Sequence, residues 1–294
     1  MSKTKVIAEI GCNHKGDLEI AKKMISTASN FCNAEIVKFQ KRNNKLLLSE
    51  RYNDSHPVPE NSYGKTYGLH REFLEFNIAQ HEELKQYCED LNVIYSCSVW
   101  DIISCKEICE LKPKFIKIPS AKNLNFEIHN YLVKEFKGEI HISTGMTTKS
   151  EIKKIIKFYT DNDKAKDVVL YLCTSSYPVE IKDLCLLEIK NLFIEYGNII
   201  KSIGFSGHHT GIASDIAAHT IGKLSSFDTK AKFGFIERHF TLDRTWKGTD
   251  HAASLEPDGL RRLVRDVNEN ESALSYKNKD VLDVELDQLE KLKH

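Results

Sequence analysis

Short apolar runs alternate with longer amphipathic segments along most of the chain. The apolar runs have the length and composition of buried strands, and the segments between them carry apolar residues at helical spacing. This alternation predicts repeated βα units built around a parallel sheet. The predicted strands span residues 6–10, 35–39, 93–97, 115–118, 139–142, 168–172, 202–205 and 233–236.

Helical segments follow the strands in the same order. They are predicted over residues 18–31, 80–91, 102–111, 125–136, 149–159, 183–196, 212–224 and 257–274. Eight strands alternating with eight helices predict an α/β fold of the closed (β/α)8 TIM-barrel type. A doubly wound open sheet is the alternative, but no Gly-x-Gly-x-x-Gly sequence follows the first strand. We expect the barrel to occupy residues 1–275 and a short tail to occupy residues 276–294.

The balance of acidic and basic residues argues against nucleic acid or an anionic membrane as a partner. Lys plus Arg and Asp plus Glu both number 42, so no net field favours nucleic acid or an anionic membrane surface. No apolar stretch has the length of a membrane span, and the chain begins without a signal-peptide pattern. We therefore expect a cytoplasmic protein whose eight cysteines stay reduced.

Histidines follow the last two predicted strands. His208 ends the run GFSGH and His239 lies in ERHF, with Asp250 a short way beyond. A single histidine at such a place is more often a hydrogen-bonded core residue. Two of them at the carboxyl ends of neighbouring parallel strands favour a divalent metal site.

Lysines interrupt two of the apolar strand runs. Lys38 and Lys117 would be costly to bury without an anionic partner. A negatively charged ligand satisfies that need, and so does a salt bridge to Glu9 or Glu237, and the two interpretations are compatible. Further polar side chains at the predicted strand ends are Gln40, Ser120, Ser143, Ser175, Tyr177 and Ser206.

The long connection over residues 41–79 contains a segment rich in glycine, aromatic and basic residues. Residues 63–71, YGKTYGLHR, combine two glycines with aromatic and basic side chains. A connection of this length is usually functional or disordered, and its aromatic content favours an ordered loop over the mouth of the barrel.

Seven motifs together resemble the sialic acid synthase family. They are residues 8–14 (AEIGCNH), 37–40 (VKFQ), 143–146 (STGM), 173–178 (CTSSYP), 204–208 (GFSGH), 237–243 (ERHFTLD) and 248–257 (GTDHAASLEP). The resemblance covers nearly the whole chain in order. Residues 246–248 (WKG) and the 63–71 loop are most similar to the branch that contains the animal sialic acid 9-phosphate synthases.

The resemblance implies a barrel enzyme that condenses phosphoenolpyruvate with an N-acylhexosamine such as N-acetylmannosamine, giving a nine-carbon 3-deoxy-2-keto acid and phosphate. It implies Mn²⁺ or Mg²⁺ on His208 and His239, and a homodimer. Phosphoenolpyruvate would be held by Lys38, Lys117, Ser120, Ser143, Ser175 and Ser206. Sugar or water would be positioned by Glu9, Gln40, Tyr177 and Asp250. We take Glu9, Lys38, Lys117 and Asp250 as the catalytic set.

The chain departs from the family pattern at three places. Cys97 stands where the family commonly has threonine, and Lys122 stands where it has an acidic residue. We expect Lys122 either to bind the sugar end of the substrate or to point into solvent. The tail after the last helix is too short for the family's C-terminal antifreeze-like domain, which leaves open what replaces it.

Two rival functions stay open at this point. One is another phosphoenolpyruvate-dependent aldose synthase, in which a cysteine after strand one ligates metal, as Cys12 could do here. The other is a barrel that binds sugar without catalysis. The sequence also leaves open which sugar is used, whether it is phosphorylated, and which metal is native.

Overall fold

Eight parallel strands close into a barrel in chain order, with the first strand paired to the last. The computed structural model describes residues 3–293, so the outermost residues of the predicted barrel domain and tail lie outside it. The predicted (β/α)8 barrel is confirmed, whereas the division at residue 275 stays a prediction. The strands are β1 (Lys5–Gly11), β2 (Ile36–Lys41), β3 (Ile94–Val99), β4 (Phe115–Ile118), β5 (Glu139–Ser143), β6 (Val168–Cys173), β7 (Ser202–Gly207) and β8 (Lys232–His239).

A helix follows each strand on the outside of the barrel, and three further helices lie in the long connection and the tail. None of the helices within residues 3–293 is long and apolar enough to cross a membrane. The helices are α1 (Leu18–Ser26), α2 (Asn44–Leu48), α3 (Tyr67–Phe73), α4 (Ile78–Asp90), α5 (Ile102–Glu110), α6 (Phe126–Glu135), α7 (Lys149–Asp161), α8 (Glu188–Tyr196), α9 (Ala213–Ser225), α10 (Pro257–Ala273) and α11 (Leu286–Leu292).

Local sequence signals begin several of these helices. Asp17 and Asp101 accept hydrogen bonds from free backbone N–H groups at the first turns of α1 and α5. Thr148 and Glu151 form a reciprocal capping box at the start of α7. Each cap begins its helix shortly after a strand, which keeps the barrel's connections short.

The two-residue period of the strands separates two kinds of environment. On β1, Ala8 and Ile10 belong to the large core between strands and helices, whereas Ile7 belongs to a small cluster inside the barrel. Glu9 lies two residues beyond Ile7 and lines the cavity at the carboxyl end. The inward face of a strand therefore changes from apolar to charged along its length.

Aromatic rings fill the amino-terminal end of the barrel interior. Phe115 stacks on His141 with ring centroids 3.9 Å apart, and His141 Nδ1 is hydrogen-bonded to the Tyr171 hydroxyl at 2.8 Å. Burial lowers the pKa of His141 to about 4, so the imidazole is neutral at physiological pH. We call Phe115, His141 and Tyr171 the aromatic plug.

Most predicted boundaries lie within a few residues of the observed ones, and α1 and α8 differ most. The predicted helix over residues 18–31 changes from α-helix to π-helix after Ser26, and the π-helix spans Thr27–Phe31. The difference at α8 is at its start. α8 begins at Glu188 rather than at residue 183, because a 3₁₀ turn at Ile181–Leu184 ends at Cys185, which has a left-handed φ of 49°. Several strands also continue further than predicted, so Glu237 and His239 lie within β8.

The long connection packs against the loop that follows β8. The Tyr63 hydroxyl donates to the Lys247 carbonyl at 2.5 Å, and the backbone N–H of Gly248 donates to the Asn61 side chain at 3.3 Å. The Lys247 ammonium lies 5.0 Å from the centre of the Tyr63 ring. These contacts hold the two loops together on the carboxyl side of the barrel.

Candidate active site

A cavity of about 300 Å³ lies at the carboxyl end of the barrel. This is the end where (β/α)8 enzymes place their ligands. Every site residue predicted from the sequence except Lys122 lines it, and the individual roles of these residues stay predictions. The residues concerned are Glu9, Lys38, Gln40, Lys117, Ser120, Ser143, Ser175, Tyr177, Ser206, His208, His239 and Asp250.

The two strand lysines are paired with carboxylates. Lys38 forms a buried ion pair with Glu9 and also donates to the Ser98 hydroxyl at 2.7 Å. Lys117 donates to Glu237 at 2.6 Å, and Glu237 lies 3.7 Å from Lys38. The salt-bridge interpretation that the sequence left open is therefore confirmed. We call Glu9, Lys38, Lys117 and Glu237 the lysine–carboxylate network.

The two carboxyls of this network differ in acidity because they differ in their neighbours. Burial raises the pKa of Glu9 to about 7, and the single ammonium of Lys38 only partly opposes it. Burial acts on Glu237 as well, but Lys117 and Lys38 together lower its pKa to about 2. Glu237 is therefore ionised at neutral pH, and Glu9 is the carboxyl of the network that can exchange a proton there.

Hydroxyl groups surround a glycine on the β5 side of the cavity. A side-chain Cβ at Gly145 would lie 2.3 Å from the Ser175 hydroxyl and 2.8 Å from the Ser120 hydroxyl. The backbone N–H of Gly145 donates to the Ser120 hydroxyl at 3.1 Å. Glycine is thus needed for two hydroxyls and a backbone amide to converge, which is an arrangement suited to an anion's oxygens.

The two predicted metal ligands face the same cavity, with ring centroids 5.4 Å apart. His208 Nδ1 lies 3.0 Å from the Thr174 carbonyl, so it carries the proton and leaves the Nε2 lone pair free. His239 Nδ1 is buried and has no hydrogen-bond partner among the described residues. Burial lowers the pKa of His239, which favours the neutral imidazole that a metal requires.

The donor set fits a divalent metal with two protein ligands. Asp250 Oδ2 lies 3.8 Å from His239 Nδ1, beyond hydrogen-bonding distance. Across residues 3–293 no three His, Cys, Asp or Glu side chains are grouped as a complete metal site. Remaining coordination positions would be left to water and substrate, as in catalytic rather than structural sites.

Cys12 does not join the histidines. Its thiol accepts a hydrogen bond from Arg71 Nη2 at 3.2 Å, and the residue does not line the cavity. The rival reading, in which Cys12 ligates the metal, therefore finds no support in the geometry.

Arg42 and Trp100 are among the residues of the cavity wall that sequence reasoning did not single out. The Arg42 guanidinium stacks on the Trp100 ring at 3.7 Å and donates to the Gln40 side chain. Arg42 lies two residues after Gln40 and four after Lys38, so the strand period could have identified it. Trp100 stands in the same relation to Ser98 at the end of β3.

Lys122 lies in an adjoining cavity of about 200 Å³. Arg42, Trp100 and Ala121 line both cavities, which makes the two spaces neighbours. Lys122 is only partly exposed, so it neither joins the main cavity nor points freely into solvent.

Comparison with known proteins agrees with this picture. The NeuB family matches residues 24–279. The chain is 37% identical to human N-acetylneuraminate-9-phosphate synthase, covering 98% of this chain and 76% of that protein. It is 30% identical to N,N'-diacetyllegionaminic acid synthase of Campylobacter jejuni, covering 93% and 78%.

Solved structures show the same architecture. An N-acetylneuraminic acid synthetase from Leptospira borgpetersenii superposes with a TM-score of 0.80 at 25% identity, over 99% of this chain and 91% of that chain. A truncated 3-deoxy-D-arabino-heptulosonate 7-phosphate synthase from Thermotoga maritima has a TM-score of 0.65 at 11% identity, which shows the fold alone. With the motifs, the barrel and these relatives in agreement, the chain belongs to the NeuB family of sialic acid synthases.

Proposed function

We propose that the protein is a transferase that condenses phosphoenolpyruvate with an N-acylhexosamine to give a nine-carbon 3-deoxy-2-keto sugar acid and phosphate. The observation that carries this proposal is one cavity that joins the lysine–carboxylate network to a pair of free imidazoles. Membership of the synthase family supports it. The proposal includes a homodimer in the cytoplasm, as the sequence analysis expects.

Phosphoenolpyruvate is proposed to lie against the lysines and the hydroxyls around Gly145. Lys38 and Lys117 would attract its carboxylate and phosphate, while Ser120 and Ser175 donate hydrogen bonds to its oxygens. Because Glu237 already holds both ammonium groups in place, the lysines need little reorganisation when the substrate enters.

The sugar is proposed to lie on the Gln40 side of the cavity. Gln40 donates to Glu9 at 2.8 Å and accepts from Arg42, so its amide is fixed in orientation. Tyr177 packs on His208 with ring centroids 4.2 Å apart and is half exposed, which suits a residue that covers bound sugar. Holding the aldehyde beside the enol supplies much of the rate enhancement by proximity.

His208 and His239 would hold Mn²⁺ or Mg²⁺, which polarises the sugar aldehyde as a Lewis acid when bound. In the reaction, carbon 3 of phosphoenolpyruvate forms a bond to the aldehyde carbon, whose oxygen takes up a proton. Water adds at carbon 2 and loses a proton. The bond from carbon 2 to the phosphate oxygen then breaks, the proton of the new carbon 2 hydroxyl passes to the departing phosphate, and the 2-keto group is left. Glu9 and Asp250 are proposed to accept and donate the protons of sugar and water, and the raised pKa of Glu9, about 7, supports such a role for it.

The test is phosphate release on mixing the protein with phosphoenolpyruvate, Mn²⁺ and a panel of aldoses. The panel should contain N-acetylmannosamine, its 6-phosphate and simpler aldose phosphates. With an N-acylhexosamine as the sugar, we expect phosphate and a nine-carbon keto acid to form in equal amounts. Mass spectrometry identifies the keto acid. Turnover of only the simpler aldoses would favour the rival synthase, and no release with any sugar would overturn the enzyme assignment.

A further inference from the structure

A buried ion pair lies behind the two histidines of the main cavity. Glu237 and His239 on β8 line that cavity, so Arg238 between them points to the opposite side of the strand, towards α9. Arg238 is 1% exposed and pairs with Asp215, which is buried in the first turn of α9. The pair therefore connects the end of β8 to the start of the helix that follows β7.

The same guanidinium holds the turn between β7 and α9. Arg238 Nη2 donates to the His209 carbonyl at 2.5 Å, and Nη1 donates to the Gly211 carbonyl at 2.8 Å. Among residues 3–293, no other group donates to these two carbonyls. We call Arg238, Asp215 and the turn at residues 209–211 the arginine clamp.

The arginine clamp lies next to both proposed metal ligands in the chain. The backbone pairing of β7 with β8 ends at Gly207 and Arg238. His208 and His239 each lie one residue beyond that last pair. The side chain of Arg238 therefore continues the link between the two strands past the end of their ladder, at the place where the two imidazoles project.

A glycine at the end of β7 lets the His209 ring pack against the clamp. A side-chain Cβ at Gly207 would lie 2.9 Å from His209 Nδ1. The other ring nitrogen, Nε2, lies 3.2 Å from Arg238 Nη1 and 3.3 Å from Asp215 Oδ2. Any larger residue at Gly207 would push this ring away from the ion pair.

Stability alone gives a poor explanation of the clamp. Three of its polar atoms, Arg238 Nε, Asp215 Oδ1 and His209 Nδ1, are buried without a hydrogen-bond partner in the described part of the chain. Such atoms cost free energy, and apolar side chains of similar volume often replace a buried ion pair without loss of stability. Apolar side chains cannot hold two backbone carbonyls at fixed points, whereas a planar guanidinium can.

We propose that Arg238 and Asp215 are positioning residues that set the spacing of the two metal ligands, His208 and His239. This inference rests on the proposed function, because the metal site is part of it. The two rings lie with their centroids 5.4 Å apart. In a site with two protein ligands no further side chain compensates for a misplaced imidazole, so metal affinity depends on the groups that orient the ligands.

The first test is calorimetric Mn²⁺ binding to the metal-free protein, without turnover. The variant is Arg238→Met/Asp215→Leu, which removes both charges and leaves neither buried without its partner. It should bind Mn²⁺ about tenfold or more weakly than the wild type does, the scale for residues that orient metal ligands. Phosphoenolpyruvate binding without metal should stay unchanged. An Mn²⁺ affinity equal to that of the wild type, or an equal loss of phosphoenolpyruvate affinity, would overturn the inference.

The matched control is Lys223→Met/Glu271→Gln. Lys223 is a buried residue of α9 that pairs with Glu271 at 2.7 Å, and neither residue lines the main cavity. This variant removes a buried ion pair from the same helix without touching the clamp. It should bind Mn²⁺ as the wild type does. A loss equal to that of the clamp variant would reduce the effect to general destabilisation of α9 and overturn the positioning role.

The second test is the dependence of kcat on Mn²⁺ concentration. Arg238→Met/Asp215→Leu should turn over slowly at low Mn²⁺ and regain most of its kcat when Mn²⁺ exceeds the weakened Kd, with the KM for phosphoenolpyruvate unchanged. A low kcat that excess Mn²⁺ does not restore would contradict the positioning role. Clamp-dependent Mn²⁺ binding without phosphate release by the wild type would sink the proposed reaction and keep the inference. A wild type that binds no Mn²⁺ would sink the metal site and the inference together.

Because the clamp is buried, the double variant could fail to fold, and Arg238→Lys then decides the question. Lysine keeps a positive charge beside Asp215 but replaces the planar fork with a single ammonium. The variant should unfold near the wild-type temperature, followed by circular dichroism. It should bind Mn²⁺ about threefold or more weakly than the wild type does, the scale of one lost hydrogen bond. Wild-type Mn²⁺ affinity in this folded variant would overturn the inference.

Discussion

The barrel mouth holds two sets of cations that differ in what balances their charge. Lys38 and Lys117 are paired with Glu9 and Glu237 before any ligand arrives. Arg42, Arg71 and Lys122, which line the adjoining cavity, form no direct ion pair among the described residues, although Glu75 acts on both guanidiniums at longer range. Each ammonium of the first set lies against a carboxyl group, whereas the cations of the second set have no carboxylate in contact.

Because of this difference, we expect substitutions in the two sets to have different effects on the free energy of unfolding. Removing one member of a neutral buried pair leaves the other charge exposed to a low-dielectric interior, which costs folding free energy. Removing a cation that has no direct ion pair leaves no carboxylate uncompensated, so its loss should cost less. The same kind of residue is therefore expected to behave differently in the two sets, and each prediction below measures one side of that contrast.

The largest effect is expected at the two histidines. They belong to neither set of cations and are proposed to hold the metal that acts in the chemical step. His208→Ala and His239→Ala should each reduce kcat at least roughly a thousandfold, or about 4 kcal/mol, because the Lewis acid is lost. Thermal unfolding should stay near that of the wild type, and Mn²⁺ binding followed by calorimetry should be lost. Chelation should reproduce the loss and Mn²⁺ should reverse it. Full activity after exhaustive metal removal would contradict the metal assignment.

The next effect tests the lysine–carboxylate network directly. Glu237→Gln should lower the free energy of unfolding by about 3 kcal/mol, since Lys117 would remain buried without its partner. Urea denaturation followed by circular dichroism measures this. A loss below about 1 kcal/mol would show that water or another group already balances Lys117.

A smaller effect is expected in binding. Lys38→Met and Lys117→Met should each weaken phosphoenolpyruvate binding by about 2 kcal/mol, the scale of a charge-assisted contact. The measurement is calorimetric titration with phosphoenolpyruvate alone. The control is Lys45→Gln, which removes an exposed charge on α2. Unchanged affinity would give both lysines a purely structural role beside their carboxylates.

The smallest effect is expected for a cation without a direct ion pair, Arg71. Arg71→Gln should change the free energy of unfolding by no more than about 1 kcal/mol, because no carboxylate among the described residues forms a direct ion pair with Arg71 and would be left uncompensated. The same urea titration measures this change. A destabilisation as large as that of Glu237→Gln would make Arg71 a structural charge and erase the difference between the sets.

The sequence predicted the barrel well because periodicity alone carries that information. Buried parallel strands and amphipathic helices have distinct repeats, and the residues at strand carboxyl ends must converge wherever such a barrel closes. That is why His208, His239 and Lys38 were found together in one cavity. The boundary of α8 was missed because Cys185 adopts a left-handed conformation that cysteine gives no reason to expect.

Charge partnership was harder to predict because it depends on distances across the barrel. Lys117 and Glu237 are separated by 120 positions in the chain, and no local pattern states that they touch. Arg71 lies on the short helix α3, in a segment that the sequence analysis treated as a loop, so no helical period was applied to it. The sequence named Glu9 and Glu237 as partners for Lys38 and Lys117, but it did not say which carboxylate pairs with which lysine.

The aromatic plug has a kinetic consequence. Phe115, His141 and Tyr171 close the amino-terminal end of the barrel interior, and the Lys117 ammonium lies 4.3 Å from the Tyr171 ring, just above the plug. Substrates and products must therefore share a single doorway. A molecule bound at Lys117 occupies the far end of a blind channel, so we expect phosphoenolpyruvate to enter before the sugar and the sugar acid to clear the channel before the next cycle begins.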